Sequence, residues 1–382
     1  MIASDPPTRR PTPATATREV VVYRGDSRRA AHDHATCREV ARTIAAIKGC
    51  TFAGEYDPRT HAERHPYFVP TDTLIGVDHA RALGIDGDDD LFGGVVPHAF
   101  VATKCISHPL IDDRAHAPEG WSTDFGKRIE PAVLAGYSAF STDDALRAGR
   151  TLLANGRIRI KRALGIGGAG QTVVDDVVGL EQALADADAV EVSRYGIAIE
   201  EDLEDVTTHS VGQIRVDRFV ASYFGTQRLT RNHRGDEVYG GSDLFVAHGD
   251  FDAPLAAFDP PGSVRRAVAQ ARLYDVAAFK CFEGLFASRR NYDIAEGIDA
   301  SHKRRLGVLE QSWRFGGASG AEVTALAAFR DDPSLTAVRA TSTEVYGEDV
   351  CVPQGATVYF DGADNHGGRL TKYVMISRHV HA

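Results

Sequence analysis

An alternating basic and apolar run, Arg157-Ile158-Arg159-Ile160-Lys161, leads into a glycine cluster, Gly165-Ile166-Gly167-Gly168-Ala169-Gly170. Gln171-Thr172-Val173-Val174 follows, β-branched and without a helix-start signal, so the segment reads as strand, glycine loop, strand. Such a loop lets backbone N–H groups approach phosphate oxygens, and a lysine at its entrance neutralises charge. The same spacing satisfies the dinucleotide fingerprint G-x-G-x-x-G, but that motif needs a helix opening directly after the last glycine. Here the next helix candidate starts only near Leu180, which favours a polyphosphate held beneath a hairpin. A tight hairpin without any ligand would use the same glycines.

A second chemical cluster lies far downstream. Glu310 ends an apolar strand candidate, Arg314 follows four residues on, and glycines turn the chain at 316–320. Upstream, Asp293 sits on a neighbouring strand candidate behind Arg289 and Arg290. Two carboxylates from adjacent strands suit Mg²⁺, which binds phosphates through one or two carboxylates and keeps its waters. Arginines close by would hold a developing oxyanion or phosphate. Asp293 and Glu310 could equally pair with Arg314, Arg289 or Arg290 as structural ion pairs. A third segment, Ile197 to Glu204, is an apolar strand ending in carboxylates. It could present backbone and acid groups to an adenine and a ribose, or be a solvated acidic turn.

The elements that must position these groups can be read from periodicity. Glu19–Tyr23 is a β-branched strand, and 36–49 is helical, with Thr36 and Glu39 as a capping box and a glycine stop. That start implies an α/β layer with parallel pairing. Residues 94–101 read as a further strand, and a polar stretch from Asp112 to Gly126 separates this region from the next. Ser141 caps a helix closed by Asn155-Gly156; strand, glycine loop, strand, a helix near 180–186 and a strand at 196–200 follow. Beyond Ile214 come strands at 219–224 and 239–246, a long helix at 263–282, strands near 291–294 and 306–311, and a helix at 321–329. Gly240-Gly241-Ser242-Asp243 reads as a turn, His32, His34, His61 and His65 as surface histidines, and Cys105 as a buried small residue.

The chain has 382 residues, 43% hydrophobic and 25% charged, ordinary for a globular protein of two or three domains. A net charge of −10 argues against nonspecific nucleic-acid binding. Five scattered cysteines form neither a zinc motif nor a disulfide framework and fit a reducing, cytoplasmic setting. No apolar run approaches the roughly 20 residues needed to cross a bilayer. Residues 1–18, rich in Pro, Thr, Ala and Arg, read as a disordered leader.

Taken in this order, the segments between about residues 127 and 329 resemble the ATP-grasp superfamily. The stretches EGWSTDFGKR, GYSAFS, SVGQIRV, GGSDL, SRRNYD and VLEQSWRFGGASGAE are similar to a bacterial family of ATP-grasp-like proteins of unassigned function. The resemblance implies an α/β and α+β chain: an ATP-grasp fold with an N-terminal α/β domain over 19–126. A lid subdomain would span 127–213, and a C-terminal subdomain carrying the metal site 214–382. It further implies that Lys127 and Lys161 hold phosphates, Gly165, Gly167, Gly168 and Gly170 form the lid, and Glu200, Glu201 and Leu203 line the adenine pocket. Asp293, Glu310 and Ser312 would bind Mg²⁺, and Arg314 and Arg290 would steady the transferred group. Three positions depart from the superfamily pattern: Ser312 stands where asparagine is usual, Thr207-Thr208 where a ribose acid is usual, and Asn291 where arginine is common. The implied activity is ATP-dependent ligation of a small carboxylate to an amine through an acyl phosphate, with ATP and Mg²⁺. The implied setting is cytoplasmic, without nucleic acid or membrane, and a homodimer is one allowed assembly. The alternatives are a nucleotide-binding regulator without turnover and a small-metabolite kinase.

Overall fold

The computed structural model describes residues 19–25, 29–165, 170–364 and 367–378. The front of the chain alternates strands and helices: β1 (Glu19–Tyr23), α1 (Ala31–Lys48), β2 (Thr51–Glu55), α2 (Pro58–His61), β3 (Tyr67–Pro70), β4 (Leu74–Ile75), α3 (Val77–Ala82) and β5 (Gly94–Val96). β1 lies between β2 and β3, all parallel, as the opening strand–helix pattern required. Val20, Val21 and Val22 are fully buried, and α1 contributes Cys37, Val40, Ala41 and Ile44 to one core. The helix ends at Gly49 in the left-handed region (φ 64°), the expected stop. Its start differs from expectation. The helix begins at Ala31, so Thr36 is interior and its hydroxyl donates back to the His32 carbonyl at 2.9 Å instead of capping.

Two short 3₁₀ turns, Ala99–Ala102 and Lys104–Ile106, replace the strand expected through residue 101. α4 (Thr123–Ile129) follows, capped by Ser122, whose hydroxyl accepts from the Phe125 amide at 3.1 Å. The second unit is a four-stranded sheet, β6 (Gly136–Ala139), β7 (Ile158–Arg162), β8 (Gln171–Val174) and β9 (Ile197–Glu201), in the order β6-β9-β7-β8. α5 (Thr142–Leu153), α6 (Val177–Ala185) and α7 (Ala189–Tyr195) accompany it. Ser141 caps α5, accepting from Asp144 N at 3.1 Å, as expected. β7 and β8 are antiparallel with Lys161 opposite Gln171, so the glycine segment connects two strands of a hairpin, as its sequence context required. Gly165 and Gly170 flank it; Gly167 and Gly168 lie outside the described residues.

The third unit is built on an eight-stranded sheet, β15-β14-β10-β11-β12-β16-β18-β17. Its elements are β10 (Glu204–Val216), β11 (Phe219–Arg231), β12 (Glu237–His248), α8 (Asp252–Phe258), α9 (Gly262–Cys281), β13 (Phe286–Ala287), β14 (Arg289–Ile298), β15 (Arg304–Ser312), α10 (Ser319–Asp331), β16 (Ala337–Tyr346), β17 (Thr357–Ala363) and β18 (Arg369–Arg378). One face is covered by α9, whose Ala267, Ala271, Tyr274 and Ala278 join Tyr292, Ile294 and Val308 in a single core. α10 and α1 cover the other face around Val246, Val338 and Val374. Two expected boundaries move. The division placed between 213 and 214 falls inside β10, because that strand already pairs with β11 and β14. The Gly240–Asp243 turn is instead mid-strand in β12, where Gly241 takes φ 141° beside a register shift, a bulge in place of a reversal.

Candidate nucleotide and acyl-transfer site

β14 shows how the sheet sorts chemistry. Successive strand residues face opposite sides, so Arg289, Asn291, Asp293 and Ala295 line a cavity of about 800 Å³. Arg290 and Tyr292 point the other way, to Asp275 of α9, at 3.1 and 2.6 Å. Arg290 also lies over the Phe279 ring at 4.7 Å. Arg290 is therefore withdrawn as a group that steadies the reacting centre: the period of two that presents Asp293 to the cavity turns its neighbour into the helix layer.

Asp293 and Glu310 are cross-strand partners on β14 and β15. Burial and the neighbouring Glu310 charge raise the Asp293 carboxyl to about 6. Burial acts on Glu310 in the same sense, but Lys104, whose Nζ stands 3.0 Å from Oε2, together with Lys161 and Arg314 keeps that carboxyl lowered. Asn291 donates to Asp293 Oδ1 at 2.9 Å, and its own carbonyl oxygen accepts from Ser210 and Tyr223 at 2.7 and 2.8 Å. Tyr223 shares its one hydroxyl proton between that oxygen and Glu322 Oε1, 2.6 Å away, and Glu322 takes a two-pronged ion pair from Arg289. Arg289 then donates to the Ser312 hydroxyl and carbonyl, each at 3.1 Å. A continuous buried network thus fixes Asp293 and Ser312 together. Among the described residues no group of three or more His, Cys, Asp or Glu forms a ready-made metal cage. Two carboxylates and a hydroxyl facing one cavity are the donor set that Mg²⁺ shares with phosphate oxygens, so the residues fit that ion.

Lys161 enters the cavity from β7, 3% exposed, with Nζ 2.5 Å from Glu200 Oε1. His108 Nε2 lies 3.0 Å from the other Glu200 oxygen. Burial disfavours the Glu200 charge, yet Lys161 and His108 pull its carboxyl down to about 2. Glu200 lines the cavity as expected, but its carboxylate is committed to these two partners and not left open toward a base. Glu201 accepts from the Ala135 amide at 3.0 Å. Leu203 joins Leu134, Ala295 and Leu309 in a small apolar cluster that lines the cavity. Of the expected ribose segment, Thr208 reaches the cavity, whereas Glu204 pairs with Arg157 at 3.0 Å.

Lys127 is not brought to the site. α4 buries Phe125 and Ile129 toward α9, with the Phe125 and Tyr274 rings 5.2 Å apart, which leaves Lys127 on the solvent face. The second lysine is Lys104, 6% exposed, bonded to Glu310 and to the Gly165 carbonyl at 3.0 Å. Sequence reading missed it because it precedes the lid sheet and sits in a 3₁₀ turn, where no periodicity marks direction. Arg29 was missed as well. Its guanidinium bonds Asp72 at 2.9 Å and lines the cavity beside Arg314. Arg314 donates to the Phe315 carbonyl at 2.8 Å; burial and the Arg29 charge push its guanidinium down to about 10.

A second cavity, also about 800 Å³, shares Arg29, Glu310, Ser312 and Arg314 with the first and extends toward β4, Thr103 and Leu164. The two cavities meet at a carboxylate–lysine–arginine junction of Glu310, Lys104 and Arg314. Its sequence matches, over residues 20–374, the family described as Protein of unknown function (DUF3182). The chain belongs to that family. A search of curated proteins returned no match. Similar solved structures include a D-alanyl-alanine synthetase A from Vibrio cholerae, with 10% identity, TM-score 0.44, 78% of this chain and 90% of that one covered. A phosphoribosylamine–glycine ligase from Thermotoga maritima has 13% identity, TM-score 0.48, and coverages of 94% and 92%. A RimK domain ATP-grasp protein from Sphaerobacter thermophilus has 11% identity, TM-score 0.40, and coverages of 81% and 98%. Likenesses of this grade do not assign any residue of the DUF3182 chain, whose site stands on its own geometry.

Proposed function

We propose that the chain is an ATP-dependent ligase of ATP-grasp type, which activates a carboxylate as an acyl phosphate and passes the acyl group to an amine. The observation that supports this is the convergence of Lys161, Lys104, Asp293, Glu310 and Arg314 on adjoining cavities beside an apolar slot. The base would lie against Leu203 and Leu309, with the phosphates running past Lys161 toward Lys104. Mg²⁺, held by Asp293 and Glu310 with Ser312 alongside, would neutralise charge on the phosphate oxygens. A carboxylate oxygen attacks the γ-phosphorus, the bond to the leaving oxygen breaks, and ADP is the leaving group; the amine nitrogen then attacks the acyl carbon, the acyl–oxygen bond breaks, and phosphate leaves carrying the proton the nitrogen gives up. Arg314 and Arg29 face the oxygens that gain charge in both steps, and positioning supplies most of the acceleration.

Two observations favour nucleotide binding without turnover: Lys104 already neutralises Glu310, and Ser312 is a weaker ligand than a carboxamide. Titration calorimetry with Mg-ADP, followed by ADP release from Mg-ATP across pools of carboxylates and amines, separates the readings. Release that needs both pools supports ligation. Binding without release under any pool selects the regulator, and absence of nucleotide binding removes both.

A further inference from the structure

The second cavity has a polar end and an apolar end. Arg29, Lys104 and Arg314 stand at the wall shared with the first cavity or beside it, with Asp72 and Glu310 among them. Asp72 receives Arg29 and the Thr71 hydroxyl, and Glu310 receives Lys104. Three cations against two committed carboxylates leave room for one more negative charge. They leave none for a positive one. Away from that wall the lining changes to Leu74, Ile75, Leu164 and Tyr195, with the small Ala99, Ala102 and Ala163 opening space between them. Ile75 is 38% and Leu164 53% exposed, so two large aliphatic side chains face this cavity uncovered. Among the polar groups in this part, Tyr23 Oη meets His79 Nε2 at 3.2 Å, and Arg194 lies 5.1 Å over the Tyr195 ring.

Resting on the ligase reading, we propose that this second cavity seats the carboxylate substrate. It selects a monocarboxylic acid with an apolar body, aromatic or branched aliphatic. α-Amino acids are refused because their ammonium would lie among Arg29, Lys104 and Arg314. Sugar acids are refused because their hydroxyls would lose water against Ile75 and Leu164 without gaining hydrogen bonds.

The test uses the full chain with Mg-ATP and hydroxylamine, whose nitrogen attacks the acyl phosphate, expels phosphate and leaves a hydroxamate that is measured by colour with iron(III). Phenylacetate and 4-methylpentanoate are compared with glycine, glutamate and gluconate. The apolar acids should give hydroxamate faster by about tenfold or more, the discrimination a hydrophobic pocket commonly reaches. Ile75→Asp and Leu164→Asp should each remove most of that advantage while Mg-ADP binds as before, since both side chains are exposed and neither lines the nucleotide cavity. Equal or better use of the hydrophilic acids would overturn the proposal. So would variants that leave the preference intact, whereas no hydroxamate from any acid in a protein that still binds Mg-ADP removes the ligase reading and selects the regulator. Loss of nucleotide binding itself would also remove the ligase reading on which the proposal stands.

Discussion

At the scale of single residues, the two lysines carry the sharpest contrast. Lys104 is bonded to Glu310 and to the carbonyl that opens the glycine segment, whereas Lys127 stands on an exposed turn of α4. Lys104→Met should therefore raise the Mg-ATP dissociation constant by about tenfold or more, the usual cost of losing a charge-assisted contact in a desolvated site. Lys127→Ala should leave it unchanged, and calorimetry on both variants checks the pair. Glu200 gives a pH prediction. Its carboxyl is lowered from 4.5 to about 2 in the folded chain, so its contribution is complete above 4.5 and declines as pH falls toward 2. Urea midpoints measured from pH 5 down to 2.5 should fall across that window, and Glu200→Gln should flatten the decline. An equally steep decline in the variant would contradict the assignment.

Elements decide which residues reach the site at all. β10 places Gly212 where an added methyl would come within 2.3 Å of the Tyr223 hydroxyl and 2.5 Å of the Arg290 carbonyl. Gly212→Ala should thus displace Tyr223, loosen Asn291 and Asp293 behind it, and cost on the order of 1–3 kcal/mol of stability, visible in thermal melts. Much at this level was legible in the sequence. The hairpin around the glycine segment, the neighbouring strands bearing Asp293 and Glu310, and the α9 and α10 helices all follow from local periodicity and turn residues. What escaped was sidedness and distance. The run of 289–293 shows two arginines before an aspartate, and only the pleat reveals that Arg289 joins Asp293 while Arg290 leaves it. Lys104 and Arg29 come from irregular segments far from 310 in the chain, so no spacing rule connects them to it. Thr36 read as a cap because a capping box is a local pattern; the helix begins earlier, at Ala31, and Asp33 of its first turn pairs with the distant Lys372.

For the whole molecule, the front unit and the large sheet share one apolar core, and buried polar contacts add to it. Trp313, 1% exposed between Ser312 and Arg314, donates to Tyr292 at 3.2 Å, and its carbonyl accepts from Thr73 at 3.3 Å. Trp313→Ala should cost about 3–5 kcal/mol and weaken nucleotide binding as well, because the void opens directly behind the site. Chemical unfolding and calorimetry should both register the change. Lys372, 6% exposed, ties α1 to the sheet by pairing with Asp33 at 3.1 Å and Glu344 at 3.0 Å. Lys372→Met leaves two partly buried carboxylates without this cation, and a stability loss of about 1–3 kcal/mol is expected from the same unfolding measurement.

The small sheet β13-β5-β4 has a consequence for how such chains can be recombined. Gly94 and Val95 of the front unit hydrogen-bond to Phe286 and Ala287, a dipeptide that arrives almost two hundred residues later. A chimera spliced at residue 126 between two family members would unite a native front with a foreign closing strand. Gene shuffling should succeed only when the donor of 94–96 also contributes 286–287, so inheritance in this fold follows the sheet and not the order of the chain.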